Sequence, residues 1–168
     1  ILIGPEGVIG SYRQVHADPA LGWGAGGDIF PVFDLPFGRV AILLGEDLFY
    51  PEAGRMVARQ GVDLVCCPAT WRSGWQVDLM LPERSAENHI TIAASARADS
   101  PVAGCARILT TPPVYRFPQT KEVNNPDLYK APEVAGAFSV EIDLAPNRDK
   151  RLMASTDLIM DTRPALYG

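Results

Sequence analysis

Five consecutive aliphatic residues, Val40-Ala41-Ile42-Leu43-Leu44, run directly into Gly45-Glu46-Asp47-Leu48-Phe49-Tyr50-Pro51-Glu52. No other stretch restricts the fold as much. The run predicts a strand, the residues after it a tight turn, and Pro51 the opening of a helix. Strand-to-turn-to-helix corners often present a catalytic nucleophile. Here the corner residue is Gly45, which has no side chain to react.

The rest of the chain reads as elements packed around that corner. Ile1 to Gly4 and Val8 to Val15 form an expected hairpin around Pro5-Glu6-Gly7. Ile29 to Leu35 and Arg39 to Leu44 form a second one around Pro36-Phe37-Gly38. Glu52 to Gln60 reads as a helix with Ala53, Met56, Val57 and Gln60 on one face and Gly61 as its terminator. Asp63 to Cys67 is a short buried strand stopped by Pro68. Leu79 to Asn88 is a second helix, with Asn88 a C-terminal cap, and Ile90 to Ser95, Val102 to Leu109 and Ala137 to Leu144 are further strands. Thr110 to Pro132 holds five prolines and is expected to be a long surface loop. From Asn147 the tail lacks periodicity until Arg163-Pro164-Ala165-Leu166-Tyr167. This order predicts a layered α/β protein rather than a regular βαβ alternation.

The 168 residues suffice for one domain with a real core. A net charge of −5 and the lack of a basic cluster argue against nucleic acid and anionic membranes as partners. No apolar run is long enough to span a bilayer, and no secretory signal pattern is present. The cysteines Cys66, Cys67 and Cys105 are odd in number and two are neighbours, so a reducing, cytoplasmic setting is expected over a disulfide framework. A chain that opens inside an apolar strand is expected to be part of a longer polypeptide.

Several segments in order carry a resemblance to a known family. Tyr12-Arg13-Gln14-Val15-His16 is similar to a Tyr-Arg-Lys-x-His segment. Gly45 to Glu52, with Arg55 following, is similar to a Cys-Tyr-Asp-x-x-Phe-Pro-Glu elbow. Gly61-Val62-Asp63-Leu64-Val65, Pro68-Ala69-Thr70-Trp71, Arg84-Ser85-Ala86-Glu87-Asn88 and Arg163-Pro164-Ala165-Leu166-Tyr167 match four further motifs. Together they resemble the nitrilase superfamily of carbon–nitrogen hydrolases over nearly the whole chain. The resemblance implies a four-layer αββα sandwich, incomplete at its N-terminus. It also implies a Cys nucleophile, a Glu base and a Lys that stabilises the oxyanion.

This chain departs from that pattern where the chemistry lies. Gly45 stands at the nucleophile's position and Gln14 at the lysine's. The segment carrying the catalytic Glu would precede Ile1. Between Gln14 and Gly45 the acids are Asp18, Asp28 and Asp34, with no Glu. Loss of one member of such a unit removes most of the rate enhancement.

Cys67 and Asp47 are the candidate substitutes: Asp47 lies in the elbow, and Cys66 and Cys67 end the strand after the elbow helix, although cysteines following Leu64-Val65 read first as core residues. His16 and His89 lie far apart without a carboxylate at ligand spacing, so no metal and no cofactor is expected. Gly24-Ala25-Gly26-Gly27-Asp28 lacks the Lys-Ser/Thr of a phosphate loop and reads as a turn. Glu52 at a helix start reads as structural. Glu46, Phe49, Thr70 and Trp71 are the expected pocket lining. Expected partners are a second copy of the chain or an upstream domain, together with a small amide- or nitrile-like ligand. The expected function is that of a nitrilase-like domain without hydrolytic activity of its own. The alternative is an amidohydrolase working through non-standard groups.

Overall fold

The computed structural model describes residues 1–22, 24–97, 99, 102, 106–111 and 128–167. The expected loop over 110–132 and the expected strand over 102–109 therefore lie partly outside the described residues, as does Cys105.

At the centre is a six-stranded mixed sheet, ordered β3-β4-β5-β6-β7-β8. β3 is Val32–Leu35, β4 Gly38–Ile42, β5 Leu64–Ala69, β6 Thr91–Ala96, β7 Arg107–Leu109 and β8 Leu128–Lys130. β4, β5 and β6 run parallel, and antiparallel strands flank them. Parallel neighbours need crossovers, and helices supply both. α1 (Pro51–Arg59) joins β4 to β5, and α2 (Leu81–Asn88) joins β5 to β6. Two hairpins stand apart from this sheet: β1 (Leu2–Gly4) with β2 (Gly7–Gly10), and β9 (Arg151–Met153) with β10 (Thr156–Asp157).

The strand period of two explains the core. Ala41, Val65, Cys67, Ile92, Ala94 and Leu109 share one face, and all are buried with Val57 and Ala58 of α1 and Leu81 of α2. The other face carries Val40, Ile42, Leu64, Cys66, Ala93 and Ile108 in register. A sheet apolar on both faces belongs inside a layered sandwich.

α1 matches its expected span to within a residue. Pro51 sits in the first turn and Arg59 in the last. Gly61 N–H bonds Ala58 O at 2.9 Å and Val62 N–H bonds Val57 O at 3.3 Å. That pairing requires a left-handed residue between, and Gly61 has φ +76°.

The second helix differs from its expectation. A π-type turn over Gln76–Met80 precedes α2, and the left-handed cap is His89 (φ 45°), not Asn88. His89 is held there by its Nδ1, 3.0 Å from Asp149 O. Asn88 instead turns inward, its amide donating to Arg84 O at 3.0 Å. The expected first hairpin is shorter, closing at Gly10. The 137–144 segment is not a strand, and its alternation shows in burial only in part: Val140, Ile142 and Leu144 are half-buried between exposed Ser139, Glu141 and Asp143, but Phe138, expected on the same face, is exposed. Two elements went unanticipated: β8, inside the expected loop, and the β9–β10 hairpin, whose strands are too short for a period to register.

The tail is bolted to the sheet by polar contacts. Asn147, 1% exposed, donates to Asp63 O at 2.6 Å and to Thr91 Oγ1 at 2.9 Å, and accepts from Thr111 Oγ1 at 2.7 Å. Lys150 Nζ donates to His89 O at 2.6 Å and Val62 O at 3.2 Å. Burial lowers its pKa to about 8. Asn147→Ala should destabilise the fold by about 1–3 kcal/mol, since it strips donors from buried acceptors. Urea denaturation followed by circular dichroism measures this.

Candidate functional site

The corner forms as the sequence implies. β4 ends, Leu43 N–H extends the ladder to Cys66 O at 3.1 Å, and Gly45–Phe49 coil into a 3₁₀ turn leading to α1. Asp47 fixes this turn. It is fully buried, and both its oxygens are engaged. Oδ2 accepts from Tyr12 Oη at 2.7 Å and from Leu44 N–H at 3.0 Å. Oδ1 accepts from His16 N–H at 2.9 Å and lies 3.1 Å from His16 Nδ1. Four polar partners offset the cost of taking a carboxylate out of water. The Tyr12 phenol is pushed well above its ordinary value of 10.0, first by burial and then by its bond to Asp47. The His16 ring also stacks on Tyr50, with centroids 3.8 Å apart and planes 14° apart.

This anchoring brings Gln14 over the corner. Gln14 Nε2 donates to Glu46 Oε2 at 2.9 Å. Around them opens a cavity of about 580 Å³, lined among others by Gly45, Glu46, Thr70, Arg72 and Arg97. Arg72 Nη2 lies 3.9 Å from Glu46 Oε1 and 3.8 Å from Asp18 Oδ2. At Gly45 the backbone imposes no glycine, because its φ is not positive. A Cβ added there would meet Ala69 Cβ at 3.1 Å, a contact that needs a shift of a few tenths of an ångström. The bare corner is therefore a matter of composition, not of strain.

The sequence-derived candidates fall in different places. Gln14, Gly45, Glu46 and Thr70 line the cavity. Trp71 is buried in the main core. Phe49 faces Trp75 across the surface, with ring centroids 6.3 Å apart. Cys67 is buried in the core as well, and burial, reinforced by Asp47, pushes its thiol far above the ordinary 9.0. Burial raises Cys66 too. His16 and His89 are apart, and among the described residues no group of three His, Cys, Asp or Glu is placed to hold a metal ion. No described helix is long and apolar enough to cross a membrane. Arg72 was missed in sequence. Its only signal is that it follows the Pro68-Ala69-Thr70-Trp71 loop.

The strand, corner and helix, with the Tyr12–His16 segment anchored above them, agree with the carbon–nitrogen hydrolase family that the sequence resembles. The chain belongs to that family: residues 1–117 match carbon–nitrogen hydrolase. It is similar to a nitrilase of Pyrococcus abyssi, 30% identical over 180 residues, covering 99% of this chain and 62% of the relative. It is also similar to a probable nitrilase of Schizosaccharomyces pombe, 32% identical over 91 residues, 52% of this chain and 34% of the relative. The chain thus spans less than two thirds of either relative's length. Among solved structures, an amidase from Nesterenkonia sp. AN1 superposes with a TM-score of 0.64 at 20% identity, covering 96% of this chain and 58% of the amidase. A variant of that amidase, with a TM-score of 0.60, 19% identity and coverage of 92% and 54%, shows Michael addition of acrylamide at the active site cysteine. These likenesses show the nitrilase-type α/β fold.

Two outcomes follow from this geometry. Tyr12→Phe, which strips one bond from a buried carboxylate, should cost about 1–3 kcal/mol in urea denaturation. The raised thiol of Cys67 makes the fold alkali-sensitive. Once the pH passes 9.0 the unfolded chain releases this proton and the folded chain keeps it, so stability falls as pH rises. Urea midpoints at pH 7.5 and 10 under reducing conditions should drop less in Cys67→Ala than in the parent chain.

Proposed function

We propose that this carbon–nitrogen hydrolase domain does not hydrolyse C–N bonds on its own and serves a binding, regulatory or structural role. The observation that carries this is the corner itself. Gly45 offers no nucleophilic atom, and Gln14, at the position the family resemblance gives to lysine, spends its donor on Glu46. Covalent acyl transfer needs a nucleophile, a base for its proton and a positive group where the oxyanion forms. The Nesterenkonia amidase has its active site cysteine; the corner here has no sulfur. Cys67 is a poor substitute, because its thiol sits inside the core and resists ionisation. Asp47 has both oxygens committed to positioning the Tyr12–His16 segment.

In this reading the retained cavity holds a small polar ligand, and the domain works in the cytoplasm beside a second copy or an adjoining domain. The exposed aliphatics Ile1, Ile3, Val8 and Ile9 on the β1–β2 hairpin support such a neighbour.

Ammonia release from butyramide, a short aliphatic nitrile and an N-carbamoyl amino acid tests the proposal. The parent chain should release none above buffer, and Cys67→Ala should behave identically. Turnover by the parent that Cys67→Ala abolishes would establish the alternative, an amidohydrolase with non-standard groups.

A further inference from the structure

The cavity beside Gly45 holds two opposite charges that are near each other without being bonded. Arg72 Nη2 and Glu46 Oε1 are 3.9 Å apart, beyond hydrogen-bonding distance. The second carboxylate near Arg72, Asp18, is 3.8 Å away. Yet the Arg72 backbone is held firmly. Its N–H donates to Gln76 Oε1 at 2.8 Å, the Ser73 N–H donates to the same oxygen at 3.1 Å, and Gln76 is itself buried. The backbone at Arg72 is thus held, while its side chain, 62% exposed to solvent, leaves the guanidinium without a hydrogen bond at its tip. The other arginine of this cavity, Arg97, is taken up by Asp99 at 2.6 and 2.8 Å. Glu46 is the reverse case. One oxygen takes the Gln14 amide, and the other faces Arg72 without a bond.

We infer that this site binds a free α-amino acid as its zwitterion. The ligand's carboxylate would pair with the Arg72 guanidinium, whose planar donors suit a carboxylate fork. Its ammonium would pair with the Glu46 oxygen that Gln14 leaves open. Carboxylate and ammonium on one carbon are as closely spaced as the two protein charges, so a head-to-tail arrangement satisfies all four. The ligand side chain then occupies the cavity that Gly45 and Ala69 help to line. A simple amide carries neither charge, and a simple carboxylate or amine pairs with only one of the two protein groups, which weakens it. This inference rests on the reading of the domain as a binding unit and gives that unit a ligand class.

The test is isothermal titration of the full chain with L-norvaline, butyrate, butylamine and butyramide at equal ionic strength, with ammonia measured in the same samples. Norvaline should bind at least tenfold more tightly than each of the other three. Arg72→Met and Glu46→Gln should each weaken norvaline at least tenfold while their circular dichroism and urea midpoints stay near those of the parent. Gly45→Leu, which fills the side-chain space, should weaken norvaline at least fivefold more than glycine. Norvaline binding no better than butyrate or butyramide, or unchanged in Arg72→Met and Glu46→Gln, overturns the inference. Ammonia from butyramide would instead overturn the non-hydrolytic reading, so the two failures are told apart within one experiment.

Discussion

A buried carboxylate with four partners organises this domain. Asp47 sits two residues after Gly45 at the corner, inside the protein, and would be strongly destabilising if left unpaired. Its partners come from two places: Leu44 on the corner, and Tyr12 with His16 on a segment more than thirty residues earlier. Satisfying one charge therefore closes the loop between the N-terminal segment and the corner. The Tyr12 hydroxyl extends the chain of bonds by accepting from Val15 N–H at 3.1 Å. Gln14, between the two anchors, is carried over the cavity as a consequence. The cavity is shaped by this lock, and the lock does not depend on whether a nucleophile stands at residue 45.

That independence explains how a corner of this kind keeps its geometry without sulfur. The turn is held by the ladder bond to Cys66 O, by Asp47 and by the backbone bonds of Tyr50 N–H to Asp47 O and Ala53 N–H to Tyr50 O. None of these touches the side chain at position 45. Since Gly45 takes an ordinary backbone conformation, scaffold and chemistry are separable. By their bonds Tyr12, His16, Asp47, Arg55 and Asn88 belong to the scaffold, whereas Gly45 and Gln14 line the cavity. Arg55 fits that division: its guanidinium binds Leu158 O at 3.0 Å and Glu87 O at 2.8 Å, tying α1 to the tail and to α2.

How legible a feature was in the sequence followed from how local its cause is. β4, α1 and β5 are set by an apolar run, a proline, an amphipathic period and a glycine terminator, and all four can be read in order. The cap at His89 could not be read, because Asp149, sixty residues on, holds it in a left-handed conformation. The 137–144 segment shows the converse. Its alternation was visible and its burial follows from Val140 onward but not at Phe138; a strand needs a neighbour, and alternation does not name one. In the site, Gln14, Gly45, Glu46 and Thr70 were legible through motifs. The Arg72 geometry was not, since it comes from Gln76 reaching back to two backbone amides.

Asp47 and Glu46 are adjacent acids with opposite fates, and burial decides between them. Asp47 points inward, finds four donors and becomes part of the frame. Glu46, 31% exposed, points toward the cavity, takes one donor from Gln14 and keeps an oxygen open. A lysine at position 14 would compete with Arg72 for that carboxylate and place a third cation beside Arg97. Glutamine there supplies a hydrogen bond without a charge, so one Glu46 oxygen is left facing Arg72. In the proposed reading the two departures that the family resemblance implies act together: the cavity beside Gly45 stays open, and an uncharged residue at position 14 leaves one Glu46 oxygen for a cation.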